Sequence, residues 1–243
     1  ASGVLMDIAL ATTKNSRGGP AKAAVVGSSL MGMISGTAVA NVLTTGTISI
    51  PLMRRAGYKP SVAAGVEAVA STGGQLMPPI MGAAAFLMAD IMEVPYLEIT
   101  AAALIPAVLF YIAVFATVHL EAVKTGLKPL DSLEVPDVSQ SLLRSGHVLL
   151  SIPVFIGALV SGYSVMYSSM AGIICLLALS LLRPSSRMGP QQLIRAAVSA
   201  SEAILPVALA TATAGIIIGV VTLTGLGLKF NSFIISISGN NLL

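Results

Sequence analysis

AKAAVVGSSLMGMISGTAVANVLTTGTISIPLM, residues 21–53, is the stretch that decides how the rest of the chain can fold. It is apolar along almost its whole length. It is too long for one straight membrane helix and too short for two, because a span needs roughly 20 apolar residues. Its middle, Ser35-Gly36-Thr37-Ala38-Val39-Ala40-Asn41, is small and polar. Non-helical backbone is tolerated in a bilayer only against protein or a water-filled cavity. The stretch therefore predicts a re-entrant hairpin, in which two half-helices meet at a polar turn that is a candidate binding site.

The composition is that of an integral membrane protein. Of the 243 residues, 55% are hydrophobic and 9% are charged, and the mean hydropathy is +0.91, whereas a soluble domain carries about 25% charged residues. The single cysteine, Cys175, excludes a disulfide framework within this sequence. No basic stripe interleaved with aromatic residues indicates a nucleic-acid partner. The chain begins without Met and ends in a new apolar run, so we expect it to be part of a longer protein.

A second interrupted span follows the hairpin. Residues 61–92 contain Ser71-Thr72-Gly73-Gly74-Gln75-Leu76-Met77-Pro78-Pro79, and Gly-Gly followed by Pro-Pro cannot continue an α-helix. Two interrupted spans that are adjacent in sequence are typical of secondary transporters with a midplane site. We therefore expect this break to form the other half of the site, with polar groups for a substrate at Ser71, Thr72 and Gln75. A proline kink of purely structural use is the alternative.

Helical spans and polar connectors alternate along the whole chain, which predicts an all-α integral membrane protein. The predicted segments are the end of a helix with a cytoplasmic loop (1–20), the re-entrant hairpin (21–53), the broken transmembrane helix (61–92), a transmembrane helix (98–120), a cytoplasmic connector (121–146), a transmembrane helix pair (147–182), a cytoplasmic amphipathic connector (183–202), a transmembrane helix (203–228) and a final apolar run (230–243).

The basic residues predict the orientation of these segments. If both flanks of the hairpin lie in the cytoplasm, twelve of the thirteen Lys and Arg residues fall on that side, and only Lys229 falls outside. Such an excess is the one that the positive-inside rule describes. It also favours the hairpin, because a single crossing by residues 21–53 would separate the basic flanks.

The tip of the hairpin is the first candidate site. Carbonyl groups exposed at a helix break are hard oxygen ligands, and Ser35 and Thr37 add hydroxyls, so the tip suits a bound Na⁺. The N-termini of half-helices favour an anionic substrate group. Asn41, at the start of the outward half, can cap that half and offer its amide to the substrate. The alternative is a packing seam, because Ser, Thr and Gly are common where membrane helices touch.

Glu67 lies inside an apolar span, one turn before the second break. A buried carboxylate in a membrane is by default a functional hypothesis, and this one could carry a proton or pair with a basic group elsewhere. The other interpretation is that it is solvated near the cytoplasmic interface. Its position only seven residues past Pro60 favours the solvated interpretation.

The motifs at these segments resemble those of one family, the large membrane subunit of the tripartite ATP-independent periplasmic (TRAP) transporters. The resemblance rests on Ser35-Gly36-Thr37-Ala38-Val39-Ala40-Asn41, on Gly46 with Ile50-Pro51-Leu52-Met53-Arg54-Arg55-Ala56-Gly57-Tyr58, and on Ala70-Ser71-Thr72-Gly73-Gly74-Gln75-Leu76-Met77-Pro78-Pro79. Val-Ala-Asn and Gly-Gly-Gln are most similar to the TAXI branch, whose small and large membrane subunits are often fused. Many dicarboxylate and sialic-acid members have Val-Ala-Asp and Ile-Gly-Pro instead.

The resemblance implies an elevator-type transporter fold, present here in part, with residues 230–243 as the truncated start of a second hairpin. It implies a periplasmic substrate-binding protein that delivers an organic anion, a small membrane subunit that is separate or fused, and uptake across a bacterial or archaeal cytoplasmic membrane driven by an ion gradient. Carried over by motif, the Na⁺ ligands are Ser35, Thr37, Gly74, Met77 and Pro78, largely through backbone oxygens. The TAXI branch leaves H⁺ open as the coupling ion, so Glu67 stays a candidate proton carrier.

Two other classes compete with a transporter. A channel could be lined by the two interrupted spans, but the sequence has neither a ring of charged side chains nor a repeated carbonyl filter. A non-transporting scaffold subunit would not need two midplane breaks. An enzyme is not predicted, because no metal-ligand cluster, phosphate-binding glycine loop or Ser/His/Asp set occurs at one depth.

Overall fold

The described part of the protein is built from α-helices and short 3₁₀ turns. The computed structural model describes residues 2–127, 138–182, 187–226, 229–230, 232 and 235, which fall into two compact units, Ala1–Arg187 and Met188–Leu243. The helices are α1 (Ser2–Thr13), α2 (Gly19–Ser35), α3 (Ala38–Arg55), α4 (Pro60–Gly73), α5 (Ala83–Met92), α6 (Tyr96–Lys124), α7 (Val138–Ser145), α8 (Ser151–Val160), α9 (Val165–Leu181) and, in the second unit, α10 (Pro190–Thr224).

Helices α2 and α3 are separated by two residues, at the centre of the predicted polar turn. α2 ends because Gly36 takes a left-handed conformation (φ 64°), and its N–H donates to the carbonyl of Gly32. Glycine adopts this conformation without steric cost. Thr37 then begins α3, and its hydroxyl accepts the N–H of Ala40 at 3.4 Å. The break is shorter than the polar segment predicted from the sequence, and Asn41 lies in the first turn of α3.

The two outer ends of the α2–α3 pair lie next to each other. The hydroxyl of Tyr58, just after α3, donates to the carbonyl of Gly18, just before α2, at 3.5 Å. Burial raises the pKa of Tyr58 to about 12, and the nearby Glu121 carboxylate contributes in the same direction, so the phenol remains a neutral donor at physiological pH. The chain therefore leaves this pair beside the point where it enters.

The second break is a connection between α4 and α5 that α6 holds in place. After α4, the chain makes a 3₁₀ turn at Gly74–Leu76 and resumes a helix at Ala83. The N–H of Gly74 bonds to Ser71 O and Thr72 O, and the hydroxyl of Tyr111 donates to Ala70 O at 2.8 Å. The hydroxyl of Tyr96 donates to the carbonyls of Ile80 and, at 3.3 Å, Pro79. Two tyrosines of α6 thus donate to carbonyls at the end of α4 and in the α4–α5 connection.

Two helices of the described part, α6 and α10, are long and apolar enough to cross a membrane. α6 keeps Pro106 inside the helix, at the predicted kink position. α10 differs from the prediction, because one continuous helix replaces the amphipathic connector and the separate span that begins at residue 203. The helix starts at the predicted signal, Gly189 and Pro190, but no helix breaker follows before Pro206, which the helix contains.

Several predicted features lie outside the described residues. These are Lys128 and Arg183 of the charge argument, the middle of the connector 121–146, and most of the final run 230–243. The side chain of Arg144, which is also part of the charge argument, is likewise not described.

Helix α2 lies directly against the second break. A Cβ added to Gly32 would lie 2.3 Å from the Cα of Gly74, and one added to Gly36 would lie 2.8 Å from the carbonyl oxygen of Met81. These distances are shorter than a side chain permits. Glycine at residue 32 therefore lets the C-terminal end of α2 and the α4–α5 connection touch through their backbones.

We expect Gly32→Ala to destabilise the protein, because the added methyl group meets the backbone of Gly74 and cannot be accommodated by a side-chain rotation. Overpacking of this kind costs about 1–3 kcal/mol, which a lower midpoint of thermal unfolding in detergent would measure. Gly65→Ala is the matched control, since nothing lies within 4 Å of a Cβ there and Ala favours a helix. Equal midpoints for the two variants would contradict the close approach.

Candidate functional site

Glu67 is fully buried, and four hydroxyl groups surround its carboxylate. Its relative exposure is 0%. Oε1 accepts hydrogen bonds from Ser28 at 3.0 Å, from Ser71 at 3.1 Å and from Thr45, and Oε2 accepts one from Ser49. The interpretation of Glu67 as a solvated interfacial residue is therefore wrong. That interpretation judged the depth of Glu67 in the membrane from its distance along the chain to Pro60. Burial depends instead on how α2 and α3 pack over the face of α4 that carries Glu67.

The donors come from three helices, so the carboxylate joins them. Ser28 lies on α2, Thr45 and Ser49 lie on α3, and Ser71 lies on α4 with Glu67. A buried carboxylate without partners is costly, whereas a hydrogen bond to a charged group stabilises by about 1.5–3 kcal/mol. Among the described residues, the hydrogen bonds of this carboxylate come from hydroxyls, and no ion pair to it is present.

Asn41 lies at the edge of the same cluster. Its side-chain nitrogen donates to Ser28 O at 2.8 Å and, more weakly, to Ser71 O at 3.5 Å. The hydroxyl of Thr45 lies 2.8 Å from the backbone oxygen of Asn41 and 3.4 Å from its side-chain oxygen. Asn41 has 0% exposure, so in this conformation its amide holds α2, α3 and α4 together and does not face open space.

The remaining predicted residues of the hairpin tip are partly exposed. The hydroxyl of Ser35 lies 3.4 Å from the carbonyl oxygen of Thr37, and both residues are half-buried. The C-terminus of α2 and the N-terminus of α3 meet here, so carbonyl oxygens and amide hydrogens are presented side by side. Such a junction can attract a cation and an anionic group at the same time.

The predicted residues of the second break point in different directions. Ser71 is buried in the Glu67 cluster, and Gly74 is buried against Gly32. Thr72 and Gln75 are exposed; the Thr72 hydroxyl bonds to Ala68 O at 2.7 Å, while the Gln75 backbone accepts the N–H of Gly82 at 2.8 Å. Met77 and Pro78 are half-buried. The structure thus brings the two breaks together but divides their polar residues between a buried cluster and an open face.

A further cavity includes one of these residues, Met77, in its lining. It has a volume of about 520 Å³ and runs between α2 and α6, where Lys22, Ser29, Tyr111 and Met77 are among its lining residues. The Lys22 nitrogen lies 5.1 Å from the ring centre of Phe115. Within the described ranges, no group of three or more His, Cys, Asp or Glu side chains could hold a metal ion.

Sequence reasoning missed three members of the cluster, Ser28, Thr45 and Ser49. A signal for two of them was present, because Asn41, Thr45 and Ser49 recur every four residues and therefore form a polar stripe on one face of α3. Glu67 and Ser71 have the same spacing on α4. Ser28 has no comparable local signal, since its role depends on how α2 packs against α4.

The sequence is similar to those of known transport proteins. Over residues 1–243, the chain matches the family model "Tripartite ATP-independent periplasmic transporter, DctM component". It is 29% identical over 158 residues to the C4-dicarboxylate TRAP transporter large permease protein DctM of Pseudomonas aeruginosa, an alignment that covers 65% of this chain and 36% of that protein. It is also 35% identical over 75 residues to the uncharacterized protein y4mL of Sinorhizobium fredii, covering 31% of this chain and 18% of that protein.

The chain thus spans about a third or less of the length of these two relatives. The match to the family model nevertheless extends over every residue. This chain belongs to the DctM family, the large permease component of the tripartite ATP-independent periplasmic transporters.

Proposed function

We propose that the chain is part of a TRAP permease that takes up an organic carboxylate, delivered by a periplasmic binding protein and driven by an ion gradient. The observation that carries this proposal is the backbone contact between two helix breaks, at Gly36 with Met81 and at Gly32 with Gly74. Interrupted helices that meet within one site are the usual device of secondary transporters. The Pseudomonas relative is described as a C4-dicarboxylate permease, which supports a carboxylate as the substrate class.

The α2–α3 pair acts in this proposal as a re-entrant hairpin. Its support is the contact between Tyr58 and Gly18, which brings the two ends of the pair together. Both flanks carry basic residues, as cytoplasmic loops do. The hairpin and the broken helix α4–α5 then belong to an elevator-type transport unit of a multi-pass protein in the cytoplasmic membrane of a prokaryote.

The proposed ion and substrate groups lie at the two breaks. Ser35, Thr37, Gly74, Met77 and Pro78 contribute oxygens to a coupling Na⁺, and Glu67 is the candidate group if the ion is H⁺. The substrate contacts Thr72 and Gln75, which are exposed. Asn41 and Ser71 are buried in the Glu67 cluster. They hold in position the backbone that presents Thr72 and Gln75 to the substrate. The small membrane subunit, separate or fused as in TAXI systems, completes the assembly.

Uptake by the reconstituted transporter tests the function directly. We expect the full-length permease, with its small subunit, to accumulate a labelled dicarboxylate in proteoliposomes only when the binding protein and an ion gradient are both present. Flux without a gradient and without saturation would favour a channel. The absence of flux under all gradients, with a correctly folded assembly, would favour a scaffold subunit.

If Na⁺ is the coupling ion, Ser35→Ala combined with Thr37→Ala should raise the Na⁺ concentration for half-maximal uptake by about tenfold, the change expected for a loss of about 1.4 kcal/mol of binding free energy. The cause is the loss of two hydroxyls at the junction of α2 and α3. Thr47→Ala is the control, because its hydroxyl bonds only within α3, to Thr44 O at 3.1 Å. If the expression level changes and the Na⁺ dependence does not, these hydroxyls contribute to helix packing and not to Na⁺ binding.

The proposed orientation predicts opposite labelling of two engineered cysteines. In a Cys175→Ala background, a cysteine at Ser16 should be shielded from a membrane-impermeant thiol reagent in intact cells, because the loop before α2 lies in the cytoplasm. A cysteine at Lys229 should react. Labelling after cell lysis shows that both sites are reactive, and labelling of the Ser16 position in intact cells would reverse the proposed topology.

A further inference from the structure

The hydroxyl of Thr45 has more acceptors than it can serve. It is placed to donate to Glu67 Oε1, to the backbone oxygen of Asn41 at 2.8 Å, or to the side-chain oxygen of Asn41 at 3.4 Å. A hydroxyl carries a single hydrogen, although it can also accept. The charge on Glu67 therefore decides which acceptor the hydrogen of Thr45 serves.

When Glu67 is ionised, the hydrogen of Thr45 goes to the carboxylate, because a hydrogen bond to a charged acceptor is stronger than one to a neutral carbonyl. Ser28, Ser71 and Ser49 donate to the same carboxylate. Neither the backbone oxygen nor the side-chain oxygen of Asn41 then receives the Thr45 hydrogen. In this state α3 has no bond from Thr45 back to its first turn.

Protonation reverses the direction of one hydrogen bond. A proton on Oε1 allows the neutral carboxyl to donate to the Thr45 oxygen, and Thr45 then donates to the backbone oxygen of Asn41. Ser49 still donates to Oε2. A proton on Oε2 would instead have to be donated to Ser49, whose hydrogen would lose its acceptor. Of the other donors to Oε1, Ser28 can turn its hydrogen to the Thr45 oxygen, 3.2 Å away, and Ser71 can still donate to the carboxyl oxygen. A proton on Oε1 therefore leaves every hydroxyl hydrogen with an acceptor and directs the change towards Asn41.

We propose that Glu67 binds one proton on Oε1 and that Thr45 relays its arrival, through Asn41, to the hairpin tip. Back-bonding of a Thr hydroxyl to the carbonyl four residues earlier bends a helix slightly. The N–H of Asn41 bonds to Thr37 O at 3.1 Å, so a change in the first turn of α3 reaches the residue that caps it. The meaning of this relay for transport rests on the proposed function of the tip.

The surroundings of Glu67 suit a proton better than a metal cation. Its oxygens and the surrounding hydroxyls already lie within hydrogen-bonding distance of one another, so a cation would have to push them apart. A proton needs no such space. Neither the cavity between α2 and α6 nor the one bordered by α8 and α9 is lined by Glu67 or by its hydroxyl partners on α3 and α4.

Other titratable groups on the packed helices are directed elsewhere. α2 contributes Lys22, whose nitrogen lies over the ring of Phe115 on α6. α3 contributes Arg54 and Arg55, which are exposed in its last turn, and α4 contributes no titratable group other than Glu67. From α6, Tyr111 donates to Ala70 O, and His119 borders the cavity beside α2. The relay can therefore be assigned to Glu67 by mutation.

A spin label at the tip tests the relay without requiring transport. Val39 is 71% exposed, so a label on Val39→Cys, in a Cys175→Ala background of the full-length permease in detergent, reports the motion of the first turn of α3. We expect its mobility to change as the pH is raised from acidic to alkaline values. Glu67→Gln and Thr45→Val should each abolish this change, the first by removing the titrating group and the second by removing the hydroxyl.

Thr44→Val is the matched control, since its hydroxyl also bonds back along α3, to Ala40 O at 2.6 Å, but does not contact Glu67. It should keep the pH-dependent change. A change that persists in Glu67→Gln would overturn the proton site, and one that persists in Thr45→Val would overturn the relay. No change in the parent protein would overturn both.

Uptake measured with the same variants separates this proposal from the proposed function. If the parent transports, Thr45→Val should lose the pH dependence of the uptake rate and Thr44→Val should keep it. A pH dependence that Thr45→Val retains contradicts the relay. If the parent does not transport at all, the proposed function fails, and the spin-label result still decides whether Glu67 binds a proton that the tip senses.

Discussion

The packing of α2, α3 and α4 depends on the hydrogen bonds that the buried carboxylate of Glu67 accepts from them. An unpaired charge buried among helices costs several kcal/mol, and the four hydroxyl donors around Glu67 offset that cost through hydrogen bonds. The donors are divided among three helices, so none can rotate or slide by one residue without withdrawing its hydroxyl. The hydrogen-bonded carboxyl group of Glu67 thus links the positions of these helices along one another.

Small residues make this arrangement possible. Apolar side chains gain little by leaving lipid for another helix, so association in membranes relies on close backbone packing and polar contacts. A Cβ added to Gly46 would lie 3.2 Å from the Cγ of Glu67, and one added to Gly32 would lie 2.3 Å from the Cα of Gly74. Glycine therefore brings the helices near enough for short hydroxyl side chains to reach one carboxylate. The same closeness places the tip of α2 against the α4–α5 connection.

The interruptions could be predicted from the sequence because their causes are local. Gly36 ends one helix through its own backbone conformation, and Gly73-Gly74 with Pro78-Pro79 prevents the continuation of another. The burial of Glu67 could not be predicted in the same way, because Ser28 and Thr45 lie 39 and 22 residues from it. The continuity of α10 was missed for a related reason. Charge and polarity change near residue 203, but a helix ends at backbone breakers, and none occurs there.

Hydroxyl groups give the cluster a property that a lysine or arginine partner would not. A salt bridge holds a carboxylate in its ionised form, because protonation would leave the cation unpaired. A hydroxyl both donates and accepts, so the same Ser and Thr side chains can satisfy Glu67 with or without a proton. Only hydrogens need to move, and the heavy atoms can keep their packing. In the relay that we propose, Glu67 gains or loses a proton while α2, α3 and α4 remain assembled, and the difference between the two states is expressed in the hydrogen bonds that α3 makes to its own first turn.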